Sequence, residues 1–200
     1  MRMNKKLLII GAGEYGQITH EIAEAMGVFE KIDFLDDNSE MAVGKMCDIE
    51  KFAGEYSFGI AAVGNPGKRR ELTMRLEENC YNIPVLVHPR AFVGKYASMR
   101  KGCIVEPMAV VHSGANLGDC VLVSAGAVVN HSSIVEAYSH VNVGAIVAAH
   151  SFVAPMTKIK EGEVFSGTNF NTEEKKQGTD AWIQEHIEKC GKEPNLFDGN

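Results

Sequence analysis

Nowhere in the 200 residues do two cysteines stand at the three-residue spacing of a Cys-x-x-Cys pair. Cys47, Cys80, Cys103, Cys120 and Cys190 are scattered and odd in number. That argues against a zinc site and against a disulfide framework, and no metal requirement is expected. Long apolar runs are missing too: no window reaches the roughly 18 residues a membrane span needs. The stretch before Gly11 is too poor in apolar residues for a secretory leader, so a cytoplasmic protein without membrane insertion is expected. Positive charge is short, with 20 Lys+Arg against 26 Asp+Glu and a formal net charge of −6. A nucleic-acid surface normally shows a basic stripe, so no nucleic-acid partner is expected.

What the chain does have is a period. From Val87 every sixth residue is aliphatic: Val87, Val93, Met99, Val105, Val111, Leu117, Val123, Val129, Val135, Val141, Val147, Val153 and Ile159. Four residues after each stands a small side chain in nearly every repeat, from Ala91 and Ala97 to Ser151 and Thr157. A fixed six-residue period belongs to a parallel β-helix. In hexapeptide proteins both of these positions point inward and three hexapeptides make one coil. Cys103 then reads as a buried small hydrophobe. His88, His112, His131, His140 and His150 all fall on non-inward positions, and the register therefore places His131 and His140 on an outer face. A solenoid this short has exposed surfaces that self-association would cover.

The first 84 residues read differently. Lys5–Ile10 is a short apolar run, followed at once by Gly11-Ala12-Gly13-Glu14-Tyr15-Gly16 and then by Ile18, Ile22, Ala23 and Met26 at helical spacing. A glycine turn between strand and helix lets backbone approach a phosphate at the helix N-terminus. Ile32–Leu35 is a second strand ending in Asp36-Asp37. The twenty-residue gap from Gly16 to Asp36 suits a carboxylate reaching a ribose hydroxyl, although paired acids at a strand end also form turns. A third strand, Ser57–Val63, precedes Gly64-Asn65-Pro66 and a helix to about Asn79. The organisation expected is an α/β half-Rossmann nucleotide-binding unit (1–84), a β-helix (85–166), and a polar linker with a C-terminal helix over 181–189 (167–200). Trp182 is read as an anchor of that helix.

Six segments carry a resemblance: Leu8-Ile9-Ile10-Gly11-Ala12-Gly13, Phe34-Leu35-Asp36-Asp37, Val63-Gly64-Asn65, Val87-His88-Pro89, Gly126-Ala127-Val128-Val129-Asn130-His131 and His140-Val141-Asn142-Val143-Gly144. In this order the chain resembles bacterial sugar O- and N-acyltransferases, the family of sialic acid O-acetyltransferase and of the UDP-4-amino-sugar N-acetyltransferases of bacillosamine pathways. The resemblance implies a left-handed β-helix and a homotrimer, with acetyl-CoA between neighbouring β-helices and a UDP-sugar in the N-terminal unit. It makes His131 the general base for direct transfer in a ternary complex. It places His140 at the acetyl donor or the amine. Nucleotide contacts carry over to Gly11, Gly13, Tyr15, Gly16, Asp36, Asp37, Asn65 and Arg69. Acetyl-CoA contacts carry over to His140, Gly144 and Ala149, with Lys158 and Lys160 as candidates for the CoA phosphates.

The chain departs from that pattern in several places. Ser132 stands where an acid often follows the histidine, leaving Glu136 or Glu106 to substitute. Ser124 replaces an asparagine, Ala149 a glycine, and Tyr15 a frequent histidine of the glycine loop. The repeat register fades after Val164, before the usual CoA-covering loop. Alternatives therefore stay open: O-acetylation of sialic acid or another free sugar, or a nucleotide-sugar-binding scaffold without catalysis.

Overall fold

The computed structural model describes residues 5–167; the expected C-terminal helix with Trp182 lies outside the described residues. In chain order, β1 (Lys6–Ile10), α1 (Glu14–Met26), β2 (Lys31–Leu35), β3 (Ala42–Gly44), α2 (Ile49–Phe52), β4 (Phe58–Ala61) and α3 (Pro66–Glu78) form a parallel sheet of order β3-β2-β1-β4 with its helices. Parallel strands are buried on both faces and so read as continuous apolar runs. Leu7 and Ile9 of β1 pack with Ile22 and Ala23 of α1, whereas Leu8 and Ile10 pack with Ile49, Leu72 and Leu76. The strand β3 and the short α2 were not expected, because three and four residues are too few to show a period.

From Leu86 the chain winds into a left-handed parallel β-helix of two-residue strands. Each strand pairs in parallel with the strand eighteen residues on, for example Leu122↔His140 and Val128↔Ile146. The second residue of each strand points inward, and Val105, Val111, Val123, Val129, Val135, Val141, Val147 and Val153 are all fully buried. Cys103 is among them: it donates to Gly118 O at 3.1 Å, and burial pushes its thiol up to about 12. The register runs one strand beyond Ile159, to Val164–Phe165, with the Phe165 ring against the end of the core.

The prism has three faces. One carries Leu86, Ile104, Leu122, His140 and Lys158 outward, and the N-terminal unit covers it: Leu86, Ile104 and Leu122 share a core with Leu7, Ile9, Ile22 and Ile60. The second presents an uncovered apolar ladder of Phe92, Val110, Val128, Ile146 and Val164. The third carries Ser98, Asn116, Ile134 and Phe152. From Gly102 onward each corner uses a left-handed residue. Gly102, Cys120, Tyr138 and Met156 stack on one corner, Met108, Gly126, Gly144 and Gly162 on the next, and Gly114, Ser132 and His150 on the third.

Candidate active site

The glycine loop is held by backbone demands. Gly11 has φ +107, and a Cβ there would meet Val63 Cγ1 at 2.9 Å; a Cβ on Gly16 would lie 2.0 Å from Gly11 O. Gly13 is the N-cap of α1 and offers no side chain to its first-turn N–H groups. A Cβ at Gly13 would meet nothing within 4 Å, so the loop is open on that side. Asp36 sits beneath it. Its carboxylate accepts from Ala12 N at 2.8 Å, Asn38 N at 2.9 Å and Ser39 N at 3.1 Å, and these bonds hold its pKa below the usual value. Asp36 therefore anchors the loop in this structure. Asp37 is exposed at the same strand end and accepts from Met46 N at 3.0 Å. Asn65 caps α3, accepting from Lys68 N at 2.9 Å, and Pro66 follows as the first helical residue.

Two expected nucleotide contacts point elsewhere. Arg69 is 0% exposed, and its guanidinium donates to Val63 O (2.9 Å), Gly64 O (3.2 Å), Cys120 O (3.1 Å) and Tyr138 O (2.5 Å). With its donors engaged on main-chain carbonyls of both units, it fastens α3 to a β-helix corner and is out of reach of a phosphate. Tyr15 turns its ring toward the β-helix rather than the loop. It meets the His140 ring edge-on at 5.9 Å, and its hydroxyl is buried without a hydrogen-bond partner. Burial, then the Glu106 charge, holds that hydroxyl well above its ordinary pKa.

His140 corrects the expectation of an open outer face. It does point away from the β-helix core, but it lies under the N-terminal unit and is 7% exposed. Nε2 meets Ser124 Oγ at 2.8 Å, while Nδ1 is buried and unpartnered. Burial, helped by the positive charges of Arg69 and Lys158, lowers its pKa to about 4, so the ring is neutral at pH 7. Glu106 accepts from Ala125 N at 2.9 Å beside this group. Burial raises the carboxyl of Glu136, whose charged neighbours are Arg100 and Asp119. The His131 ring has Ser132, not either acid, as its hydrogen-bond neighbour in this structure.

His131, by contrast, is exposed. It stands on the corner after Val128–Val129, followed by Ser132 at φ +57. Its Nδ1 is 3.5 Å from Ser132 Oγ, and its ring lies 5.1 Å from that of His150 at an 88° angle. The corner bearing His131 joins the uncovered apolar face to the third face, on the opposite side of the prism from the covered face that bears His140. One protomer therefore does not bring the two together. The Ser124–His140 pair and His150 were missed from sequence. The signal for His150 was its offset of nineteen residues from His131, one coil and one residue.

Among the remaining positions, Gly144 is an exposed left-handed corner residue and Ala149 is half-buried. Lys158 follows His140 on the ladder and is exposed. Lys160, also exposed, donates its backbone N–H to Glu163 at 2.9 Å.

Residues 6–76 match the family model described as the PglD N-terminal domain. The acetyltransferase domain of PglB from Neisseria gonorrhoeae FA1090 is 32% identical, over 80% of this chain and 81% of that one, with a TM-score of 0.77. The chain belongs to the hexapeptide-repeat sugar acetyltransferase family. The PglB domain in complex with acetyl coenzyme A matches this family member equally far, at 32% identity and a TM-score of 0.76. A variant of perosamine N-acetyltransferase from Caulobacter crescentus, in complex with CoA and GDP-perosamine, shares the fold. It is 17% identical over 79% of this chain and 90% of that one, with a TM-score of 0.65. Among the described residues of this family member, no three His, Cys, Asp or Glu side chains converge as a metal site. No described helix is long and apolar enough to cross a membrane.

Proposed function

We propose that the protein transfers the acetyl group of acetyl-CoA to the amino group of a nucleotide-linked sugar, a UDP-sugar in the first instance, with His131 as general base. The observation that carries this reading is an exposed imidazole on a β-helix corner, in a chain whose other half opens a glycine loop at a helix N-terminus. The amine nitrogen attacks the thioester carbonyl while its proton passes to His131 Nε2. The tetrahedral adduct then collapses, the C–S bond breaks, and the thiolate takes the proton back from the imidazolium. Held substrates supply most of the rate, and the base adds about 10²–10⁴-fold.

The site is completed between copies. His131 and the nucleotide loop lie on opposite sides of one prism, and the apolar ladder adjoining the His131 corner has Phe92 57% and Val164 63% exposed. Packing that face in a homotrimer brings the His131 corner of one copy toward a neighbour. Gly144, Ala149 and Lys158 are the donor-side candidates, and the Gly11–Gly16 loop with Asp36, Asp37 and Asn65 the nucleotide-side ones. His140 supports the nucleotide side from beneath.

Thiol release from acetyl-CoA, measured across a panel of UDP- and GDP-linked amino sugars and free sugars, tests this. Native protein should turn over a nucleotide-linked amine, and His131→Asn should lose about 10²-fold or more in kcat. Equal inactivity of both proteins on the whole panel sinks the enzyme reading. Turnover of free sugar without thermal protection by UDP favours the O-acetylation alternative.

A further inference from the structure

We propose that His150 is a positioning residue for the His131 base, an inference that rests on the acyl-transfer reading above. On its exposed corner His131 is held loosely by what precedes it. Asn130 Oδ1 accepts from the His131 backbone N–H at 2.8 Å, which fixes the main chain but not the ring. The ring's own polar neighbour is Ser132 Oγ, 3.5 Å from Nδ1 and uncharged, too long for a strong hydrogen bond. A base that must meet a substrate proton at hydrogen-bond distance needs a tighter hold, because small misplacements cost large factors in rate.

His150 supplies it from the next coil. Its backbone N–H donates to His131 O at 3.2 Å, tying the two coils together at this corner. Its ring then stands perpendicular to the His131 ring at 5.1 Å, the edge-to-face arrangement aromatic rings prefer. With Nδ1 turned to Ser132 and one flank against His150, the His131 ring has contacts on two sides, and Nε2 is left for the substrate.

The backbone supplies the variant that tests this. The corner stack runs Gly114, Ser132, His150 with φ +77, +57 and +57. Glycine adopts this conformation freely and stands there at Gly114, so glycine fits the corner that His150 occupies. The step itself stays balanced without it: the amine proton goes to His131 and then to the departing thiolate, and His150 takes none.

Two variants separate positioning from folding. His150→Gly removes the ring and relieves the left-handed strain, so its melting temperature should match or exceed the native value. His150→Phe keeps an aromatic edge. His150→Gly is expected to lower kcat about tenfold or more while KM for both substrates stays within about twofold, and His150→Phe to restore most of kcat. In parallel, the ring Cε1–H resonance of His131, identified by its loss in His131→Asn, should shift and broaden in His150→Gly and stay near the native position in His150→Phe. Native kcat in His150→Gly, or equal losses in both variants, overturns the proposal. If native protein acetylates nothing on the panel, the acyl-transfer reading fails separately. The resonance then decides the contact alone, and an unmoved His131 signal in His150→Gly ends the proposal.

Discussion

His140 shows how a single side chain ties local chemistry to the stability of the whole. Buried beneath Tyr15 and close to Arg69, it has its pKa lowered from 6.5 to about 4 in the folded protein. Between those values the unfolded chain binds a proton that the folded protein refuses, so stability rises with pH through this window and is fully present above about 6.5. On acidification from pH 7 to 4.5 this one residue should cost about 2–3 kcal/mol. Urea unfolding of native protein and His140→Asn at the two pH values checks it, because the variant should lose that much less on acidification. Glu136, whose carboxyl is raised by burial, acts with the opposite sign and is common to both proteins, so it cancels in the difference. Little at this scale was legible beforehand. The spacing of Asp36 marked it as a ligand candidate, but spacing does not reveal that Ala12, Asn38 and Ser39 occupy its carboxylate. Arg69 likewise looked like a phosphate contact because it follows Asn65. Its real partners, Cys120 O and Tyr138 O, lie 51 and 69 residues away in sequence.

Elements were far more legible, because a period is a property of many residues at once. The six-residue register located every inward aliphatic, and its one shortfall was to stop before Phe165, which continues it with an aromatic ring. The repeat also shows apolar residues at outward positions, but on two ladders, so it did not say which of them is covered. Leu86, Ile104 and Leu122 occupy outward positions on one ladder and lie under the N-terminal unit, whereas the equally apolar ladder from Phe92 to Val164 is left open. His140 follows Leu122 on the covered ladder and so sits at its buried margin. The covering unit is fastened by α3, and there Arg69→Met should be severe. Four carbonyls of Val63, Gly64, Cys120 and Tyr138 lose their donor, for an expected loss of roughly 3–5 kcal/mol. Arg69→Lys keeps the charge but reaches fewer of these acceptors, so its urea midpoint should fall between native and Arg69→Met.

At the scale of the molecule, the uncovered ladder of Phe92, Val110, Val128, Ile146 and Val164 is the face that the proposed homotrimer would bury. Light scattering of native protein should give about three times the 21.8 kDa chain mass. Val128→Glu places a charge mid-ladder and should give a folded monomer, with unchanged circular dichroism and acetyl transfer reduced to background. A folded, active monomer would falsify the shared-site geometry. The covered face carries a different consequence. Leu86, Ile104 and Leu122 belong to one core with Leu7, Ile9, Ile22 and Ile60, so the cut that looks natural near residue 84 runs through a packed interior rather than along a linker. Exchanging the N-terminal unit for that of another family member therefore breaks contacts on both sides of one interior. A chimera inherits a new sugar preference only if the three outward residues on the β-helix are exchanged along with it.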